Sequence, residues 1–222
     1  MSPSPVCVIC RLHEATTKDH VPPKGIFCTP RPANLIRVPA CHRCNHGASR
    51  SDERVRVYLG LQVGSRNEAG AKFYKQALQT LRHNRKLRNE ILAGSEPTYL
   101  TTPAGVIYDR AFRLAWDSDA HDSIVERTIR GLYYHHFGDV LGNRVSVSVQ
   151  WFASLTIIEM SEDWSANVLG TGECVYRFGR AIDSPLHSVW IFQFYQAHWA
   201  GGYTTPPSRE QGERPQIVYR GD

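Results

Sequence analysis

The chain has 222 residues, enough for one large domain or for a small module joined to a second one. Apolar residues make up 41% and charged residues 21%; that excludes wholesale disorder, and no run approaches the ~18 consecutive apolar residues of a membrane helix. The net charge of +5 is modest but uneven, with nine Lys/Arg against four Asp/Glu in residues 1–60 and balance elsewhere, so the basic end is the one expected to attract a polyanion such as nucleic acid.

The opening Met1-Ser2-Pro3-Ser4-Pro5 carries no basic n-region and no apolar h-region. It does not read as a secretory signal, and the expected location is the cytoplasm with no membrane partner. Residues 5–50 are rich in Pro, Cys and short apolar runs and have little helical periodicity, which suits a compact, loop-rich unit that needs a staple. The texture changes near Ser51, where Ser51-Asp52-Glu53 ahead of Arg54 to Leu59 reads as a helix start with acids in its first turn. Residues 68–92 carry Phe73, Ala77, Leu78, Leu81, Leu87 and Ile91 at helical spacing, and Gly94-Ser95-Glu96-Pro97 ends that helix.

Short strands are expected at 98–102 and 105–114. Asp122 to Phe137 reads as a helix with Val125, Ile129, Leu132 and His136 on one face. Val145, Val147, Val149 and Trp151 alternate with polar residues as a half-buried strand does, and 173–179 and 187–198 read as two more. Runs of helix followed by runs of strand predict an α+β fold with an antiparallel sheet. The expected division is a zinc-stapled module over 1–60, an α+β domain over 61–203, and a polar, Pro-rich, poorly ordered tail over 204–222.

Six cysteines are present, four of them in two CxxC pairs, Cys7-Val8-Ile9-Cys10 and Cys41-His42-Arg43-Cys44. In a chain read as cytoplasmic such pairs are better metal ligands than disulfides, although disulfides are the alternative. Each CxxC turn puts two sulfurs on one knuckle, and two knuckles close one tetrahedral zinc site. A site of four cysteines has no open position, so this zinc is expected to be structural and to stabilise a segment too small to fold alone. Cys28 and Cys174 read as small buried hydrophobes.

Between and after the knuckles stand Lys18-Asp19-His20-Val21-Pro22-Pro23-Lys24, then Ala33-Asn34-Leu35, then Pro39-Ala40-Cys41-His42-Arg43-Cys44-Asn45. The order CxxC, Asp-His, Asn-Leu, CxxC-Asn resembles the HNH endonuclease family of the ββα-metal (His-Me finger) superfamily. The resemblance covers about residues 5–58 and rests on the joint order of the pieces. It implies a ββα-metal module and a DNA endonuclease that leaves 5′-phosphate and 3′-hydroxyl ends. His20 would be the general base at the end of the first strand. Asp19 and Asn45 would bind the catalytic ion, and Asn34 would tie down the loop and orient the base.

The residues can carry that chemistry. Phosphodiester hydrolysis needs a base for water and positive charge against the developing phosphorane. An imidazole with an ordinary pKa of ~6.5 suits the base at neutral pH. Asp19 and Asn45 offer oxygen ligands only, which favours Mg²⁺ or Mn²⁺ completed by water and phosphate.

Other readings stay open at this stage. His20 could be a histidine packed near the zinc, Asn45 could cap a helix beginning after Cys44, and His46 could replace Asn45 as ligand. Gly47 implies a short or interrupted ligand helix. Asp52 could assist the metal or simply balance the helix dipole. Lys24, Arg31, Arg43 and Arg50 are the expected backbone-phosphate contacts. The acid-free run with Lys72, Lys75, Arg82, Arg85, Lys86 and Arg88 is either a second phosphate surface or a solvated helix face. The adjacent His135 and His136 point about 100° apart on a helix and read as surface and core. A zinc-knuckle module that binds nucleic acid or protein without cutting, and a ribonuclease, are the competing functions. Residues 61–222 match no recognised pattern and could dimerise or select substrate.

Overall fold

The computed structural model describes residues 5–65, 67–152 and 164–207. It is an α+β fold. The first knuckle, Cys7–Cys10, docks on the rest of the module through a Val8 N–H bond to the Pro39 carbonyl (3.0 Å). Strands β1 (Thr17–His20) and β2 (Arg37–Ala40) form an antiparallel pair that sets Asp19 opposite Val38 and His20 opposite Arg37. Helix α1 (His42–Gly47) follows at once, and α2 (Ser49–Val63) starts after a break at Ala48. The interruption expected from Gly47 is therefore present.

The periodic run over 68–92 is two helices, α3 (Glu68–His83) and α4 (Arg85–Ala93). Asn84 separates them, because its side chain accepts the Leu87 N–H and caps the second helix while donating to Glu53. Gly60 lets α3 close on α2, since a Cβ at that position would lie 2.6 Å from the Ala77 Cβ. Strands β3 (Ser95–Thr101) and β4 (Ile107–Leu114) make a separate two-stranded hairpin.

Helix α5 (Ser118–Phe137) starts one turn earlier than its apolar periodicity suggests, with Asp117 accepting the Ala120 N–H, and ends at Gly138 in the left-handed region (φ 73°). From Ala120 to Tyr133 it is buried almost all round, as a central helix must be. One side meets the β1–β2 module, where Val21, just after β1, lies against Gly131; the other meets the main sheet, where Ile129 lies against Gly202.

That sheet has five antiparallel strands in the order β5 (Ser146–Phe152), β9 (His198–Thr205), β8 (Ser188–Phe194), β7 (Cys174–Arg180), β6 (Ser165–Leu169). The run read as one strand over 187–198 is split by a turn at Tyr195 and Gln196, both at positive φ (51° and 57°). The expected tail begins two residues too early, because Thr204 and Thr205 belong to β9. Thr204 is buried, and its hydroxyl is satisfied by the Leu186 carbonyl and the Ser188 N–H. Residues 208–222 of that tail lie outside the described residues.

One apolar core runs through Val8, Val21 and Val38 of the hairpin module, Val55 and Leu59 of α2, Ile129 and Leu132 of α5, and Trp190 and Phe192 of the sheet. The aromatic side chains Trp190, Phe192 and Phe194 of β8 are thus core, and His136 joins them through a 2.9 Å bond to the Tyr176 hydroxyl while His135 is exposed. Among the described residues no helix is long and apolar enough to cross a membrane.

Candidate active site and metal centre

The second CxxC knuckle is the start of a helix. Cys41 is the N-cap of α1, and its sulfur accepts the Cys44 N–H at 3.4 Å, so two thiols share one turn. The first knuckle folds back through an Arg11 N–H bond to the Cys7 carbonyl and a Cys7 N–H bond to that of His13. The Sγ atoms of Cys7, Cys10, Cys41 and Cys44 all lie within 4.8 Å of one another, and all four are free thiols. Cys10 and Cys41 are 3.9 Å apart, close to the roughly 3.8 Å edge of a tetrahedron with 2.3 Å metal–sulfur bonds. This cluster can hold a metal ion such as zinc.

The thiols resist ionising together. Burial pushes Cys7 and Cys44 upward. Burial acts on Cys10 too, but the N–H groups of Leu12 and His13 and the neighbouring thiols outweigh it and bring that group to about 7. A cation is the partner such a donor set suits.

Asp19 and His20 close strand β1 a short step from the cluster. Asp19 is buried, and its Oδ1 accepts the His20 backbone N–H at 2.8 Å. Its Oδ2 is buried without a hydrogen bond, facing the Arg127 Nε at 3.6 Å, a charge contact too long to be a good hydrogen bond. Arg127 also grips Asp52 of α2. Two carboxylates from different elements therefore share one buried guanidinium from α5. Burial raises the Asp19 pKa, partly offset by Arg127, the His20 N–H, Lys24 and His46. Asp52 is raised by burial as well, against the pull of Arg127.

His20 is half-buried. Burial lowers its pKa first, and the positive charges of Arg37, Lys24 and Arg31 lower it further, so the imidazole is neutral at pH 7. Asn45 lies inside α1, which removes the helix-cap reading. Its amide nitrogen donates to Thr17 Oγ1 (3.1 Å) and to the Lys18 carbonyl (3.2 Å), clamping α1 to β1 beside Asp19. The carbonyl acceptor fixes the amide's orientation, so Oδ1 is the atom left for a ligand. His46 stacks on His42, ring centroids 4.1 Å apart, and its charge acts on Asp19.

Asn34 does not orient His20 directly. Its two polar atoms are spent on the β6–β7 turn, donating to the Val168 carbonyl and accepting the Gly170 N–H, each at 3.0 Å. It ties its loop down, but to the main sheet. Lys24 and Arg31 lie by the base, Arg43 is exposed on α1, and Arg50 turns away to Glu90 of α4 at 3.3 Å.

Sequence reasoning missed Arg37 and Arg127. The β1–β2 register carries a signal for Arg37, since it stands opposite His20. No local signal marks Arg127. Among the described residues the four cysteines are the only group of three or more His, Cys, Asp or Glu side chains close enough to share an ion. No protein-family model, curated protein or solved structure matches the chain.

Proposed function

We propose that this chain is a zinc-stapled, metal-dependent endonuclease of the HNH type that hydrolyses DNA. The observation that carries this reading is the juxtaposition at the end of β1. A half-buried imidazole with a lowered pKa and a buried carboxylate stand side by side there, Asn45 clamps α1 to the same strand, and three cationic side chains act on the imidazole. The zinc at the four cysteines is saturated by sulfur and serves the fold.

His20 takes the proton from water as the water oxygen bonds to phosphorus. The P–O3′ bond then breaks and the 3′-oxygen takes a proton from a second water, leaving a 5′-phosphate and a 3′-hydroxyl. Asp19, and Asn45 on the helix clamped to the same strand, offer oxygen ligands of the kind a hard cation takes, with water and phosphate to complete its shell. A bound Mg²⁺ or Mn²⁺ would supply positive charge against the leaving 3′-oxygen. Arg37, Lys24 and Arg31 hold the phosphate and keep His20 unprotonated.

A non-catalytic binding module is the second reading, favoured by the ion pairing of Asp19 with Arg127 rather than with a cluster of further acids or histidines. Plasmid DNA incubated with Mg²⁺ or Mn²⁺ separates the two. Nicking or cutting is expected, and His20→Ala should lower the rate by roughly 10²–10⁴ with zinc content and melting temperature unchanged. No cleavage in any divalent metal supports the binding module; undiminished cleavage by the variant removes His20 as base. Matched RNA in the same assay tests the ribonuclease alternative.

A further inference from the structure

The 3-10 turn at Lys24–Ile26 is a partition. On one side Lys24 acts on Asp19 and His20. On the other, Gly25 borders a cleft of about 650 Å³ between this turn, α2, α3 and the start of α4. Arg31 belongs to both sides, since it lines the cleft and its charge reaches His20, and its Nε donates to the Lys24 carbonyl at 3.3 Å.

The lining is polar and basic. Arg31, Arg56 and Arg85 stand against a single acid, Glu53, with Gln76 and Gln79 among the neutral donors and acceptors. Glu53 is itself engaged by Asn84 at 2.9 Å and faces Arg56 at 3.7 Å. Arg56 donates to Thr80 Oγ1 at 3.0 Å, while its Nε is buried without a bond. Arg85 is exposed and makes no ion pair among the described residues. The cleft therefore holds surplus positive charge that the fold does not consume.

We propose that this cleft receives one polynucleotide strand, the stretch next to the phosphate at His20, with Arg31, Arg56 and Arg85 on its backbone. Three guanidiniums spread over the lining, with Arg31 shared with the group of cations at His20, match a chain of phosphates better than one small anion. A cleft of this size is on the scale of a drug-sized ligand, roughly one or two nucleotides, which suits a single strand better than a duplex. The inference rests on the nuclease reading for what lies at His20, but its binding test does not depend on cleavage.

The full chain, zinc-loaded at its cysteines and with no Mg²⁺ or Mn²⁺ added, is titrated against a fluorescein-labelled 20-nucleotide single strand and against its duplex, with anisotropy as readout. The single strand should bind more tightly. Arg85→Glu and Arg31→Ala should each weaken it roughly tenfold and reduce the log–log salt slope by about 0.7 per lost phosphate contact. Arg110→Glu on β4, which lines none of the cleft, makes the same charge change as Arg85→Glu and should leave binding within twofold. Circular dichroism melts check that each variant folds.

Equal affinity of wild type and both cleft variants overturns the proposal, as does no binding by wild type or a duplex bound as tightly as the strand. Cleavage with normal rates in both cleft variants leaves the nuclease reading standing without the cleft. Strand binding lost in the cleft variants of a protein that never cleaves leaves the cleft standing without the nuclease.

Discussion

Arg127 is the residue on which the candidate site depends most and which the sequence advertises least. It is buried between Asp19 and Asp52, and the three charges come from β1, α2 and α5. Removing one partner of a buried ionic group typically costs 3–5 kcal/mol, because the remaining charge is left uncompensated. Arg127→Met should therefore destabilise the protein by about that much in urea unfolding, and adding Asp19→Asn should recover part of the loss. The pH dependence has a definite sign. Burial raises both carboxyls, and a carboxyl whose folded pKa exceeds its unfolded value adds stability below ~3.9 and loses it as pH rises through the folded value. Arg127 restrains that rise, so the variant's deficit should be larger at pH 7 than at pH 4. A deficit independent of pH would mean the guanidinium acts by packing alone. The cysteines, Asp19, His20 and Asn45 are legible because their spacing is local and their chemistry specific. Arg127 is not, because a buried arginine on a distant helix looks like any other until the helix is placed.

At the level of elements, the β1–β2 hairpin and α1 are held from two sides, by the cysteine cluster beneath and by α5 across Val21. A Cβ on Gly131 would lie 2.5 Å from the Val21 Cγ1, and Val21 is fully buried next to His20. Gly131→Ala should destabilise by about 1–3 kcal/mol, as overpacking does, and Val21→Ala in the same chain should relieve part of it by making room. Additive losses in the double variant would sink this account of the contact. A metal bound at the thiols would be the other support, and chelation would remove it. Hydrogen exchange should then rise in Cys7 to His20 and Arg37 to Gly47 while β7, β8 and β9 keep their protection, since the sheet's core does not touch the thiols. Elements with strong periodicity or caps, such as α2, α5 and β5, were readable to within a turn. The α3–α4 break was hidden because Asn84 sits in an otherwise helical run, and β6 because Ser165-Ala166-Asn167 is polar, as an edge strand can be.

Taken whole, the molecule is built round one main core with two smaller clusters, and a buried histidine pair lies where four elements meet. His121 of α5 and His198 of β9 are each 2% exposed, with their Nε2 atoms 3.3 Å apart. His198 Nδ1 is bonded to Gln62 of α2 at 2.7 Å, while His121 Nδ1 faces Asp122 at 3.4 Å. Trp116 and Trp151 of β5 wall the pair in, and the Trp151 N–H donates to the same Asp122 carboxylate at 3.1 Å. Two Nε2 atoms can share one proton between them but not two, so the doubly charged pair cannot keep this geometry. Burial lowers His121 to about 2, with the neighbouring imidazole adding to the effect, and lowers His198 to about 4. The unfolded chain would bind protons on both near pH 6.5. A histidine with a depressed folded pKa adds stability above the unfolded value and loses it as pH falls toward the folded one. Unfolding free energy should therefore be level above pH 7 and decline between pH 6.5 and 4, by about 1.4 kcal/mol per pH unit for each histidine. Asp19 and Asp52 push the other way, so the measured slope is the net of the two pairs. His198→Gln isolates the histidine part: it should reduce the slope between pH 6 and 4.5 by about one proton in urea titrations at stepped pH. An unchanged slope in that variant would place the acid sensitivity elsewhere. The expected result would tie acid stability to the junction that holds α2 and α5, and with them Asp52 and Arg127, against the sheet.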